Sequence, residues 1–437
     1  MRIVAMDGSA PQNGMTVRID NGRIVSIGPT ASTAADADQV VDGAGLTLLP
    51  GLIDAHVHVY QDHELPLFVA NGVTTVRNMW GTPGVFALRQ RVLAGTTLGP
   101  SIVTAGPIID GTPPIWPAAD VATNADEGRA LVRAHRDAGY DFIKVYTRLP
   151  AAAFDAIEDE ARILGLRFAG HASRAKGLEN VLRSSIWSVE HLDGYLPAIL
   201  NPSSGYDPAT GNLAPLFALL RDIQGGTRPW SDLFLPAERT RLAQISAAND
   251  TAHVPTLVYW QQRYVPQSEN PAELARPELR FVHPAVRAEW RAESDQLYAS
   301  FSDEEMRLLR FQHDEDFRIV ADLIASGAEV IVGTDARNRY VVFGFAIHDE
   351  LALLVRAGLT PYQAMEAATA NAARFLGRQA DIGTVAVGRQ ADLVLYTSDP
   401  TVSIANSRAI AGTILRGRYL SRAQLDAALE QVAAGFL

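Results

Sequence analysis

What most limits the fold of this chain is a rhythm. Through its middle, short apolar runs of β type alternate with longer stretches of helical periodicity. The β-type runs fall near residues 52–58, 74–77, 101–105, 142–147, 167–172, 188–192, 254–258 and 330–335. Between them lie helical patterns such as "ADEGRALVRAHRDAG" and "AAAFDAIEDEARILG". Strand–helix alternation implies parallel strands, because each parallel pair needs a long crossover. Roughly eight such units over this length fit an α/β fold closed into a (β/α)8 TIM-type barrel. An open doubly wound sheet is the alternative, but no glycine-rich phosphate loop follows the first run.

The two ends have another texture. "MTVRIDNGRIVSIG" alternates apolar and polar residues around Asn21-Gly22, a hairpin signal. Near the other end, "DIGTVAVGRQADLVLY" and "AGTILRGRYL" read as further strands and turns. The expectation is a small β-sandwich domain built from residues 1–50 and 380–437, flanking a barrel over 51–379. Two stretches break the barrel's rhythm, around 195–250 and 259–300. They are rich in Pro, Gly and polar residues, with Trp230, Trp260 and Trp290 nearby. They read as long loop insertions on the face where barrel enzymes keep their active sites; decorative surface loops or an oligomer contact are the plainer reading.

Composition narrows the function classes. At 437 residues, 47% hydrophobic and 20% charged, the chain has the make-up of an ordinary globular enzyme. A formal net charge of -11, with no basic stripe, argues against a nucleic-acid partner. With no cysteine, disulfides, a thiol nucleophile and thiolate-held zinc are all excluded, so a bound metal must take nitrogen and oxygen ligands. No apolar run reaches membrane-spanning length, so no membrane partner is expected. "MRIVAMDGSAPQNG" lacks the basic-then-apolar pattern of a leader, which makes the cytoplasm the expected compartment; a secretory leader absent from this sequence would leave no trace in it.

"GLIDAHVHVY" puts His56 and His58 two apart at the end of an apolar run. Side chains two apart on a strand share a face, so both imidazoles enter one space. They are either a hydrogen-bonded pair in the core or a metal site. Other run ends carry metal-competent groups too: Lys144 in "DFIKVYT", His171 in "RFAGHAS", His191 in "SVEHLDG" and Asp335 in "VIVGTDAR". Each alone has a bland reading. Lys144 reaches solvent, His171 and His191 are satisfied core residues, and Asp335 caps a helix. All of them at strand ends of one barrel is harder to explain that way.

At these residues the chain resembles the amidohydrolase superfamily, in its imidazolonepropionase-like and prolidase-like branch of metal-dependent hydrolases. The resemblance lies in "DAHVH", "FIKVY", "GHA", "VEHL" and "GTDA", in that order, with "ANGVTTVRNMWG", "GLTPYQAMEAATANAARFLG" and "DIGTVAVGRQADLVL" beside them. It covers nearly the whole chain. It implies two divalent metal ions, most simply zinc. His56, His58 and Asp335 would hold one, and His171 and His191 the other. A carbamate formed on Lys144 from CO2 would bridge them. Such a pair suits hydrolysis, and Asp335 would carry the proton to the leaving group. Where prolidase-like members often have a second histidine two residues after the fifth-strand ligand, this chain has Ser173.

Around this set, Tyr146 shares a strand face with Lys144 and is a candidate substrate or oxyanion contact. Arg337 and Arg339 are candidates for a substrate carboxylate, or for ion pairs on the rim. Trp80 and Trp116 suggest an apolar pocket, or braces for loops. His253 opens the seventh run and is a candidate substrate contact. The expected function is cleavage of a carbon–nitrogen amide bond in a small molecule: a dipeptide, an N-acyl amino acid or a xenobiotic amide. Lactam, lactone, ester or carbamate hydrolysis at the same centre is the alternative enzyme reading, and a non-catalytic scaffold the alternative class. A deaminase fits the resemblance less well, since one-metal members generally lack the fourth-strand lysine. A homo-oligomer is the expected assembly.

Overall fold

The structure is a computed structural model that describes residues 1–30 and 37–436. Its centre is a ring of parallel strands: Leu52–Val57, Val73–Asn78, Ser101–Asp110, Phe142–Val145, Arg167–Gly170, Ser188–Glu190 and Ala252–Val254, neighbours in that order. The eighth place is taken by the extended stretch 330–336. His253 bridges Val330 on one side and Val57 bridges Ala336 on the other, both parallel. The Ile331 N–H donates to the His253 carbonyl and the Ala55 N–H to the Val332 carbonyl, each at 2.9 Å. The ring is therefore hydrogen-bonded all the way round. Its strands are covered on both faces, which is why they read as apolar runs rather than alternating ones.

The closing stretch forms single bridges instead of a regular ladder, and its sequence explains why. Gly333 is pressed so closely between the seventh and first strands that a Cβ there would meet Val254 Cγ1 at 2.4 Å on one side and the His56 backbone N at 2.9 Å on the other. Two residues on, Asp335 has φ 59°, which bends the chain out of the sheet.

The seventh strand differs from expectation. It covers Ala252–Val254, and a helix, Leu257–Arg263, starts where the strand was expected to continue to residue 258. Thr256 turns the chain with φ 47°. The Glu350 carboxylate then accepts the N–H groups of Leu257 and Val258 at 3.0 and 2.8 Å, satisfying two donors at the helix start. Local β propensity loses to this tertiary cap.

The stretches expected as loop insertions are largely helical. The first carries Ala214–Gln224 and Pro236–Ala248, and the second Leu257–Arg263, Asn270–Leu274 and Pro284–Ser300. Pro236 and Pro284 open their helices, where a missing N–H costs nothing. Some of the prolines that suggested loops are thus helix starts.

Strands from the two ends of the chain pair in one five-stranded sheet: Arg2–Ile3, Thr47–Pro50, Leu393–Tyr396, Ile410–Leu415 and Arg418–Ser421. The hairpin Met15–Asp20/Arg23–Pro29 turns through Asn21 and Gly22, at φ 48° and 77° as a tight hairpin turn requires. Ile24 of this hairpin packs with Ile3, Leu48, Leu393 and Ile414 of the sheet, forming a β-sandwich core separate from the barrel's. Beyond its last strand the chain forms a helix, Arg422–Ala434, that strand texture did not signal. Ser421 and Gln424 cap it reciprocally, and the Arg422 guanidinium donates to the Ala70 carbonyl at 2.8 Å. Among the described residues, no helix is long and apolar enough to cross a membrane.

Candidate metal centre

The sequence-predicted residues of the strand ends meet at one mouth of the barrel. His56 and His58 come from the first strand and its extension, and Lys144 from the fourth. His171 and His191 follow directly after the fifth and sixth strands, and Asp335 lies near the end of the closing stretch. All six line one cavity of about 440 Å³. Asp54, two residues before His56, fixes the seam between the first strand and the closing stretch. Its carboxylate accepts the N–H groups of His56 and Thr334 at 3.3 and 3.0 Å and the Thr334 hydroxyl at 2.7 Å.

Three residues at this mouth have a left-handed backbone that side-chain-bearing residues rarely adopt: His191 at φ 60°, Thr256 at 47° and Asp335 at 59°. Each such conformation costs about 1–3 kcal/mol and persists where surrounding structure imposes it. At His191 the strain has a visible result. Glu190 before it points into the barrel, so plain alternation would send His191 outward, yet the turn brings its ring back to the mouth. Its Nδ1 then lies 2.7 Å from the Thr256 hydroxyl.

The rings form a chain, with centroid separations of 5.4 Å for His56–His58, 4.5 Å for His56–His191 and 5.0 Å for His171–His191. Asp335 faces three of them. Its Oδ1 is 3.4 Å from His56 Nε2 and 3.0 Å from His58 Nε2, and its Oδ2 is 3.8 Å from His191 Nδ1. His56 Nε2 and Asp335 Oδ1 are nonetheless buried without a hydrogen-bond partner. Buried polar atoms are normally paired, so two such atoms facing each other fit a shared ion better than a structural contact. His56, His191 and Asp335 offer ligand atoms within 4.8 Å of one another and can hold a metal ion. Nitrogen and carboxylate oxygen suit zinc-like cations.

Electrostatics favour the ligating forms of the imidazoles. Burial, reinforced by the nearby Lys144 charge, holds His56 and His171 well below the usual histidine range. His191 is pushed down to about 3, mainly by burial, with Asp335 opposing. Neutral rings keep a lone pair for a cation. Burial lowers the Lys144 amine to about 8 against the pull of Glu190 and Asp335. Among the described residues no hydrogen bond or ion pair holds its Nζ, which lies 5.9 Å from the Tyr146 ring centre.

The rest of the cavity is aromatic. Tyr60, Trp80, Trp116, Tyr146, Tyr259, Trp260 and Trp290 all contribute to its wall. Trp116 donates from Nε1 to the Tyr146 hydroxyl at 2.9 Å, and the Tyr146 ring lies 3.9 Å from that of His171, centre to centre. The Tyr146 O–H remains a donor at the cavity. The two arginines line the cavity but are already engaged. Arg337 pairs with Glu289 at 2.9 Å and lies over the Tyr60 ring. Arg339 is buried and donates to the Ser294 hydroxyl and to the carbonyls of Gln262 and Arg263. These contacts match the ion-pair and bracing alternative better than a free carboxylate site.

His253 is not in the site. It stands one residue before Val254, whose side chain reaches Gly333, so the histidine faces the outer helices. There its ring meets Tyr195, with Nε2 3.4 Å from the hydroxyl. Strand alternation is the reason. Residues that sequence reasoning missed include Asp193, Thr256, Tyr259 and Trp260. Asp193 had a signal, since it follows His191 by two in "VEHLDG". Its Oδ1 lies 3.8 Å from His171 Nδ1, and burial raises its carboxyl to about 6. Ser173 occupies the position of the missing histidine. It is buried and donates to the Leu149 carbonyl at 2.7 Å, away from the mouth.

The model of the Amidohydrolase family matches residues 275–420, which contain Asp335 and the return to the sandwich. The solved structure of a bottromycin amidohydrolase superposes over 100% of this chain and 89% of its own, with a TM-score of 0.79 and 25% identity. In sequence over residues 275–420 and in fold over its whole length, the chain is similar to amidohydrolases. A Xaa-Pro dipeptidase with methionine bound in its active site shares the superfamily fold, with a TM-score of 0.66, 19% identity and coverage of 96% and 98%. Among curated relatives, an adenine deaminase from Moorella thermoacetica is 24% identical over 392 residues. That alignment takes in 89% of this chain and 52% of the deaminase, so the chain spans about half the relative's length.

Proposed function

We propose that this chain hydrolyses a carbon–nitrogen amide bond of a small molecule at a divalent metal centre. His56, His58 and Asp335 would hold one ion and His171 and His191 a second, and Lys144, once carboxylated by CO2, would supply an anionic ligand between them. The observation that carries this reading is the pair of partnerless buried atoms, His56 Nε2 and Asp335 Oδ1, within a cluster of neutral imidazoles. When bound, such ions polarise the scissile carbonyl and make water acidic enough to attack at neutral pH.

The chain's own residues supply the rest. Asp335 is the carboxylate that faces His56, His58 and His191 together; it accepts a proton at the centre and delivers it to the departing amine, which leaves poorly as an anion. The Tyr146 O–H donates to the developing oxyanion, a role for which a preorganised neutral donor is suited. Lys144, lowered to about 8, has enough free amine near neutral pH to take up CO2, and carboxylation turns a buried cation into an anion that suits two metal ions. The aromatic walls exclude water and fit a flat or apolar substituent. With Arg337 and Arg339 engaged elsewhere, uncharged acyl or aryl amides suit the cavity better than free N-acyl amino acids.

Metal analysis followed by hydrolysis assays tests this. Purified protein should carry zinc, or regain it, and should cleave a subset of aryl amides, N-acyl amino acids and dipeptides in a chelator-sensitive way. Lactones and aryl esters serve as the ester arm. Ammonia release from adenine without amide hydrolysis would replace this reading with the deaminase one. Absence of metal binding would overturn it altogether.

A further inference from the structure

Glu190 and Arg77 lie at the heart of the barrel, and neither has been given a role above. They come from the sixth and second strands, so they meet across the barrel interior rather than as neighbours in the sheet. Both are fully buried. Arg77 Nη2 donates to both carboxylate oxygens of Glu190, at 2.8 and 2.9 Å. Its Nη1 donates to the Ser188 hydroxyl at 3.0 Å and its Nε to the Ala55 carbonyl at 2.6 Å. The Ser188 hydroxyl donates in turn to Glu190 Oε1 at 2.5 Å. The remaining contact of Glu190 is to His56, with Oε2 2.6 Å from Nδ1.

We infer that Arg77 and Glu190 are positioning residues for His56, fixing its proton on Nδ1 and so leaving Nε2 as the lone pair that faces Asp335. The argument is one of donor and acceptor roles. A guanidinium donates only, and a carboxylate it neutralises stays an acceptor. Glu190 Oε2, already receiving Arg77, therefore accepts from His56, and Nδ1 is the nitrogen that bears hydrogen. The same bond restrains rotation of the ring, so that with Nδ1 tied to Glu190, Nε2 is kept turned toward Asp335. Carboxylate–imidazole–ion arrangements raise ligand basicity in this way.

Stability alone is a poor account of this pair. A buried ion pair gains little over apolar packing of the same volume. Here the guanidinium is already flanked by Phe142, Trp187 and Phe375, with its centre 5.5, 5.2 and 4.8 Å from their rings. An apolar side chain would fill that space without desolvating a charge. What it would not do is hold both Glu190 oxygens in place beside His56. The pair is explained by the histidine it holds.

The test has two arms, and only the second rests on the metal reading proposed above. In the first, metal-free protein with 15N-labelled histidine is followed by NMR, the His56 signal being assigned by its loss in His56→Asn. Wild type should show the Nδ1–H tautomer at neutral pH. Glu190→Ala should shift it toward Nε2–H or a mixture. In the second, Zn2+ alone is titrated in competition with a chromogenic chelator. Glu190→Ala and Arg77→Met should weaken the ion by about 10–100-fold, the usual cost of losing such a partner. Glu190→Gln should lose about tenfold, since it keeps an acceptor without the charge, and Arg77→Lys should recover part of the loss seen in Arg77→Met. A wild-type His56 protonated on Nε2 overturns the inference. So does a folded Glu190→Gln protein with unchanged tautomer and zinc affinity within twofold of wild type. If Glu190→Ala and Arg77→Met do not fold, the wild-type tautomer and Glu190→Gln decide. No zinc binding by wild type, with the Nδ1–H tautomer present, would refute the metal reading and leave the positioning role standing.

Discussion

Gly333→Ala should disturb the metal centre far more than it disturbs the fold. The added Cβ would sit 2.4 Å from Val254 Cγ1 and 2.9 Å from both the backbone N and Cβ of His56. The first of these contacts can be relieved by a side-chain shift, although Val254 is fully buried. The other two cannot, because they involve the backbone of the first strand and the stem of a candidate ligand. Overpacking of this kind costs about 1–3 kcal/mol. In a chain of 437 residues that is a small thermal signal, roughly 1 °C per kcal/mol given an unfolding entropy of ~2.1 cal/mol/K per residue. The local effect is larger. Relief requires the closing stretch to move from His56, carrying Asp335 with it and opening the 3.4 Å approach between His56 Nε2 and Asp335 Oδ1. Zinc affinity by chelator competition is therefore the sharper assay, with a loss of at least tenfold expected beside a melting shift of a few degrees. Val254→Ala in the same chain removes the first contact and should return ~1 kcal/mol of the stability loss, read as coupling in a double-mutant cycle. Because the His56 contacts persist, it should not restore zinc affinity. If Gly333→Ala binds zinc like wild type, the closing stretch does not set the His56–Asp335 spacing and this reasoning is wrong.

Asp335→Asn should keep much of the metal while kcat for amides falls roughly 10²–10⁴-fold, the range for a positioned acid–base group; the loss should be smaller for activated aryl esters, and wild-type amide turnover would assign the proton to another group. Lys144→Ala should lose part of the bound metal and most activity, with short carboxylic acids partly restoring both; full activity in the variant would exclude the bridging role. Burial raises Glu350 to about 8, above its ordinary 4.5, so the folded chain keeps a proton there that the unfolded chain releases. The stability linked to that proton is fully present below about pH 4.5 and is lost as pH rises through about 8. Glu350→Gln should therefore melt at a temperature that improves relative to wild type between pH 5 and 8; parallel curves for the two proteins would show that Glu350 is ionised throughout.

Much of the fold was legible because barrel strands, covered on both faces, write themselves as apolar runs. His56, His58, Lys144, His171, His191 and Asp335 stood out because each interrupts or ends such a run. The misreadings share a cause as well. The helix at Leu257 is capped by Glu350, which lies 93 residues along the chain and leaves no local mark. Pro236 and Pro284 look alike in a loop and at a helix start, and only the chain after them tells which. His253 shows what period-two reading can do when applied strictly: one step from an inward valine, it had to face out.

What the sequence could not express is the turn that follows each strand. His191 does not reach the barrel's mouth by alternation; a positive φ angle folds it back, and Asp335, two residues after the inward Gly333, also turns at positive φ. Asp and His enter such a backbone more readily than most side chains, but both also occur widely in ordinary strands and helices, so their presence alone does not announce the turn. The surroundings impose it. Thr256 meets the His191 ring from the next strand end, and Asp54 holds Thr334 beside Asp335. The strain and the chemistry therefore have one source. The chain places a side chain at the mouth by giving up a relaxed strand end, and the bonds that hold the strained residue also aim it. Sequence motifs mark which residues take part, whereas the aiming is written in partners that are distant along the chain and close only in the closed barrel.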